Sequence, residues 1–63
     1  MNSLADMRRR LKLRQIDVAK ALNVTRIAVS NWELGKTYPA PSKLIKLAEV
    51  LNCDVADILR NRG

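Results

Sequence analysis

Apolar residues recur at i, i+3, i+4 and i+7 in two stretches that bracket the chain, and this is the stripe of a helix packed on a core. Leu4, Met7, Arg8 and Leu11 form the first stripe, with an arginine set among the apolar positions. Ser3 lies one residue ahead of it and Asp6 three residues further on, an S-x-x-D capping box that predicts a helix start at Ser3. Leu44, Leu47, Ala48 and Leu51 form the second stripe, with Ser42 as the expected cap and Asn52 as the expected close. Asp54 predicts the cap of a short fifth helix, with Asp57 at its third position and Val55, Ile58 and Leu59 as its apolar content. Arg60, Asn61, Arg62 and Gly63 read as a frayed tail.

Between the two stripes, Gln15 to Leu22 reads as a short helix, Asn23 and Val24 as a tight turn, and Thr25 to Leu34 as a second helix. The turn needs a residue that tolerates positive φ, and Asn is the usual substitute for Gly there. Thr25 then caps the new helix through its hydroxyl. Ala19 supplies a small side chain where the two helices approach. Together these features make a helix-turn-helix. On a wheel of about 100° per residue, Thr25, Ala28, Val29 and Trp32 gather on an inward arc, while Arg26, Ile27, Ser30, Asn31 and Leu34 gather opposite. A guanidinium, an amide, a hydroxyl and an exposed β-branched side chain are the groups that read base edges: arginine for guanine, asparagine for adenine, an apolar contact for the thymine methyl. Trp32, the only large aromatic on the inward arc, is expected to anchor the core.

Charge sharpens this picture. The chain of 63 residues has a net charge of +6 and a pI near 10.3, which suits a polyanionic partner. Its size predicts one domain, residues 1–63, in which almost every apolar residue serves one core. The thin inventory of catalytic groups argues against an enzyme: no histidine, one cysteine, and carboxylates used mainly as caps or pairs. With a single cysteine there is no intramolecular disulfide and no cysteine-cluster metal site, and Cys53 itself reads as a small buried hydrophobe. No metal, cofactor or small-molecule ligand is expected. No apolar run reaches membrane-spanning length, and residues 1–15 have no apolar core of a signal peptide, so a cytoplasmic location is the simplest expectation.

Gln15, Val18-Ala19, Leu22, Val24-Thr25, Val29-Ser30, Trp32-Glu33 and Gly35, followed by Pro41-Ser42 and Leu47-Ala48, resemble the Cro/C1-type (XRE-like) helix-turn-helix proteins of phage repressors and bacterial regulators. The resemblance runs from about Leu4 to Leu59. It implies a compact all-α, five-helix, lambda-repressor-like DNA-binding domain with the helix-turn-helix at helices 2 and 3. It also implies that Arg8 pairs with Glu33, and that Gln15 bonds a phosphate while bracing the reading helix. Two positions depart from the pattern: relatives usually have Gly where Lys12 stands, and Ser, Thr or Asn where Arg14 stands. The start of the second helix is therefore expected to be poorly capped.

Backbone contacts are expected from Arg10, Arg14, Gln15, Lys36, Tyr38, Ser42 and Lys43. The arginines belong to a run of five cations, Arg8, Arg9, Arg10, Lys12 and Arg14, whose plainer reading is a solvated helix end. The loop Lys36–Ser42 is stiffened by Pro39 and Pro41, either to follow a DNA backbone or merely as a rigid connector. Lys43 sits where the fourth helix would offer its N-terminus to a phosphate. The function expected is a sequence-specific double-stranded DNA-binding regulator occupying a palindromic operator. The alternative is an antitoxin or restriction-controller regulator with the same DNA chemistry and a further protein partner. One reading helix spans too few base pairs for a unique site, so a homodimer is expected. It should be weak in solution and favoured on DNA, because two copies of charge +6 repel until phosphates neutralise them. In relatives the contact comes from the loop before the fourth helix and the region of the fifth, which carries over to Pro41, Val55 and Ile58, although the last two have equal claim to the core.

Overall fold

The computed structural model describes residues 3–60. In these residues five helices follow one another: α1 Leu4–Arg10, α2 Gln15–Leu22, α3 Arg26–Leu34, α4 Pro41–Val50 and α5 Val55–Arg60. The expected all-α architecture is observed.

The first four helices end in the same way. Lys12, Asn23, Gly35 and Asn52 each adopt positive φ, at 58°, 58°, 76° and 56°. In each case the N–H of the next residue reaches back to the carbonyl five residues earlier: Leu13 to Arg8 at 3.2 Å, Val24 to Ala19 at 2.9 Å, Lys36 to Asn31 at 2.9 Å and Cys53 to Ala48 at 3.0 Å. This is the Schellman closure, which satisfies carbonyls that a helix end would otherwise leave bare. Leu13, Val24 and Cys53, the residues just past three of these closures, pack against the core. Chain reversal and core formation are thus the same event. Lys12 is the costly member of the set, because a side chain in the left-handed region carries a steric penalty that glycine avoids.

The helix starts are less uniform. Ser3 and Asp6 form the full capping box, with Asp6 N–H donating to Ser3 Oγ at 3.1 Å and Ser3 N–H to Asp6 Oδ2 at 3.2 Å. Arg14 offers α2 no cap acceptor, as its departure from the family pattern implies. Asp17 compensates from within the helix by accepting the Arg14 N–H at 2.8 Å. Asp57 likewise accepts the Asp54 N–H at 3.0 Å ahead of α5. Ser42 is not the cap of α4. The helix begins at Pro41 with Ala40 in the cap position, because a proline at the first helical position has no N–H to satisfy and its φ is already helical. The true loop is correspondingly shorter. At the other end, Arg60 belongs to the last turn of α5 and pairs with Asp57, while Asn61, Arg62 and Gly63 lie outside the described residues.

The core gathers residues from all five helices: Leu4 and Met7, then Val18, Ala19 and Leu22, then Val29 and Trp32, then Leu47 and Ala48 with Leu51, and finally Ile58. Helix α2 packs on both α3 and α4, α1 lies on α3, and α5 lies on α4. Ala19 is fully buried, as the close approach of α2 to its neighbours requires. Trp32 is buried as expected. Leu11 is not part of the stripe in practice: α1 stops at Arg10, and Leu11, one residue further on, is 42% exposed. Thr25 also leaves the inward arc and serves only as an exposed cap. Cys53 is half-buried, and burial, reinforced by the carboxylates of Asp57 and Asp54, pushes its thiol pKa up. That keeps it protonated and poorly nucleophilic.

The backbone cost at Lys12 is removable. Lys12→Gly is expected to raise stability by about 0.5–1 kcal/mol, read as a higher urea midpoint at unchanged slope. An unchanged or lower midpoint would contradict this account of the α1–α2 corner.

Candidate nucleic-acid interface

Helix α3 starts where Thr25 Oγ1 accepts the Ala28 N–H at 3.1 Å, and it closes at Gly35. Val29 and Trp32 point into the core. On the other side Arg26, Ile27 and Leu34 are exposed, and Ser30 and Asn31 are half-buried. Ile27 is 62% exposed, which no requirement of packing explains. Glu33 is the one acidic residue of α3, and it is turned away from this face.

Its carboxylate meets Arg8 in a bidentate pair, Nε to Oε2 at 2.6 Å and Nη2 to Oε1 at 3.2 Å. The two side chains retain only 11% and 10% of their exposure. Arg8 spends a third donor on the carbonyl of Leu13 at 2.9 Å, so α1, the α1–α2 corner and α3 are fixed by one guanidinium. Gln15 extends the chain outward. Its Nε2 donates to Glu33 Oε1 at 2.9 Å, and its Oε1 accepts from Arg26 Nη1 at 3.0 Å. A continuous path of hydrogen bonds therefore runs from the buried Arg8 through Glu33 and Gln15 to an exposed arginine at the start of α3. The pairing of Arg8 with Glu33 stands as the resemblance implied. The bond to Arg26 was not legible from spacing, since it depends on how α2 and α3 cross. Burial alone would raise the pKa of Glu33, but the hydrogen bonds from Arg8 and Gln15 outweigh it and hold the carboxyl below its ordinary value of 4.5.

The residues expected near a DNA backbone are distributed around this face. Arg14 is exposed, and its guanidinium is engaged by Asp17 at 3.0 and 2.9 Å. That bond, with the Arg14 N–H, holds Asp17 down to about 2. Arg10, Lys36, Tyr38 and Ser42 are exposed as well, whereas Pro39 is buried and anchors the loop to the body. Lys43 is half-buried, and its ammonium donates to the carbonyl of Leu22 at 2.9 Å. Of the three residues expected at a dimer contact, Pro41 is exposed and Val55 is half-buried against the core. Ile58 is corrected: at 2% exposure it belongs wholly to the core, because α5 docks on α4 through it. Leu59, counted from sequence only as apolar content of α5, is 46% exposed.

Among the described residues, no group of three or more His, Cys, Asp or Glu side chains could hold a metal ion. Among the described residues no helix is long and apolar enough to cross a membrane.

A helix-turn-helix family model matches residues 4–58. The chain belongs to the Cro/C1-type helix-turn-helix family. It is 40% identical over 52 residues to the HTH-type transcriptional regulator DicA of Escherichia coli K12, a match covering 82% of this chain and 38% of that protein. It is 34% identical over 53 residues to Repressor protein C2 of Salmonella phage P22, covering 84% of this chain and 24% of the relative. The chain thus spans well under half the length of either. The family is one of helix-turn-helix DNA-binding transcriptional regulators.

The Arg8–Glu33 pair makes a pH-dependent prediction. Because the folded-state pKa of Glu33 is depressed, its contribution is complete above the ordinary value of 4.5 and is lost as pH falls through the folded value. Glu33→Gln leaves Arg8 buried and uncompensated, and is expected to cost about 3–5 kcal/mol at neutral pH. The gap between wild type and variant should narrow in acid, because Asp6 and Asp17 titrate in both proteins and cancel. Denaturant unfolding at neutral and acid pH measures the gap, and an equal gap at both would contradict the pairing energetics.

Proposed function

We propose that this protein is a sequence-specific repressor that occupies a palindromic double-stranded operator as a homodimer. The observation that carries the reading is the outward face of α3. It combines a guanidinium, an amide, a hydroxyl and an apolar β-branched side chain, while the only carboxylate of the helix is turned inward onto Arg8. A helix of 9 residues is about 13 Å long, which suits the major groove.

In this reading Arg26, Ile27, Ser30 and Asn31 contact base edges, with Ile27 on a thymine methyl. Arg26 would reach its base already oriented by Gln15, which lowers the ordering cost of using a long side chain. Arg10, Arg14, Gln15, Lys36, Tyr38 and Ser42 hold the backbone; Ser42 does so from the first turn of α4, where helical N–H groups are unpaired. Arg14 exchanges its exposed pairing with Asp17 for a phosphate at little cost, since such surface pairs contribute only about 0–1 kcal/mol. The dimer contact is small, formed by Pro41 and Val55 with the exposed Leu59. A net charge of +6 per copy favours pairing on DNA over pairing in solution. The names of DicA and of the P22 repressor agree with a regulatory role, and the repressor's name favours repression.

Selection of bound duplex from a random pool tests the reading. The expected product is an inverted repeat with half-sites about 10 bp apart, centre to centre, containing a thymine in each half-site. Arg26→Ala should cost about 1–3 kcal/mol and relax preference at one base pair. A pool that stays random, a single half-site bound as tightly as the pair, or an Arg26→Ala variant with unaltered base preference would each contradict the proposal.

A further inference from the structure

Helix α2 ends on a Schellman closure that leaves the carbonyl of Leu22 without a backbone donor. The Asn23 N–H takes the carbonyl of Lys20 at 3.3 Å and the Val24 N–H takes that of Ala19 at 2.9 Å. The carbonyl of Leu22, the last residue of the helix, accepts from Lys43 Nζ at 2.9 Å. A cation at this place also meets the negative end of the α2 dipole.

The topological consequence is larger than one capped carbonyl. Residues 22 and 43 flank the segment that holds the helix-turn-helix bend, all of α3 and the loop into α4. One bond therefore pins both ends of the segment that carries the base-reading face. Lys43 lies in the first turn of α4, beside Ser42, so the same bond also sets the distance between a backbone-facing helix start and the reading helix. The sequence suggests a phosphate for this ammonium, because it stands at the N-terminus of the fourth helix. In the structure its side chain is half-buried and turned toward the bend instead.

We propose that Lys43 is a positioning residue for DNA recognition: through the Leu22 carbonyl it holds α3 and the start of α4 in the spacing that a specific site requires, and it is not a phosphate ligand. The proposal rests on the DNA-binding reading above. Three roles for Lys43 make different demands. A phosphate ligand adds affinity to every sequence and steepens the salt dependence by about 0.9 per contact. A purely structural lysine adds thermal stability alone. A positioning lysine acts on the specific complex, where two anchors must be in register, and leaves non-specific binding and the number of released ions unchanged.

The test compares wild type, Lys43→Met, which keeps the apolar stem, and Lys43→Arg, which keeps the charge and donors. Each is measured on the duplex that the wild-type protein selects from a random pool, and on poly(dI-dC), over a salt series at a temperature where circular dichroism shows every variant folded. For Lys43→Met the expected result is a loss of roughly tenfold on the selected duplex, less than about twofold on poly(dI-dC), and an unchanged salt slope. Lys43→Arg should recover most of the loss. If Lys43→Met does not fold, Lys43→Gln, which keeps a neutral donor, is read in the same way. A slope shallower by about 0.9 with equal losses on both DNAs would overturn the proposal in favour of a phosphate contact. A lowered melting temperature with both affinities intact would overturn it in favour of simple stabilisation. A wild-type protein that enriches no duplex defeats the DNA reading itself, and is distinguishable because it fails before any variant is compared.

Discussion

A carboxylate removed from water must be met by donors, and the way Glu33 is met organises this molecule. Arg8 reaches it from α1 and Gln15 from the start of α2, while Glu33 itself belongs to α3. Helix α1 and the two helices of the helix-turn-helix are thereby held by one charge cluster in addition to the apolar core. Desolvation makes such a pair a poor source of net stability. Its value here lies in orientation. Only one rotation of α3 about its axis places Glu33 on Arg8, Trp32 in the core and Arg26 beside Gln15, and that rotation leaves Ile27, Ser30 and Asn31 on the outer side.

The same arrangement links fold to function through charge. A carboxylate on the outer side of α3 would repel a phosphate backbone, and the fold has consumed the only one available. What stays outside is neutral or positive, and its one long flexible side chain is braced by Gln15. The corners contribute as well. Four Schellman closures of the same pattern set the helix directions within a body of 25 × 23 × 20 Å, so a chain of 63 residues presents a rigid reading helix with little loop to order on binding.

Much of this was legible in the residues because it depends on local rules. The Ser3–Asp6 box, the left-handed Asn23, Gly35 and Asn52, the Thr25 cap and the inward turn of Val29 and Trp32 follow from side-chain chemistry within a few positions. Lys12 marked itself by standing where the family has glycine, and it adopts the glycine conformation. Where reading failed, two local signals competed or the answer was tertiary. Pro41 and Ser42 both mark helix starts, and the proline prevailed because it costs no donor. Ile58 and Leu59 are adjacent and equally apolar, so only the docking angle of α5 decides which is core. The bonds from Lys43 to Leu22 and from Gln15 to Arg26 join residues 21 and 11 positions apart, beyond any periodic pattern.

The central claim is that the face of α3 opposite Trp32, with Gln15 and the loop after Gly35, is the surface that meets DNA. Titrating isotope-labelled protein with its selected duplex, and following each backbone amide by NMR, tests it directly. The largest shifts are expected at Gln15, from Arg26 to Asn31, and from Lys36 to Ser42, with Ile45 and Glu49 on the outer side of α4 moving little. Shifts concentrated on α4 and α5, with α3 unmoved, would contradict it.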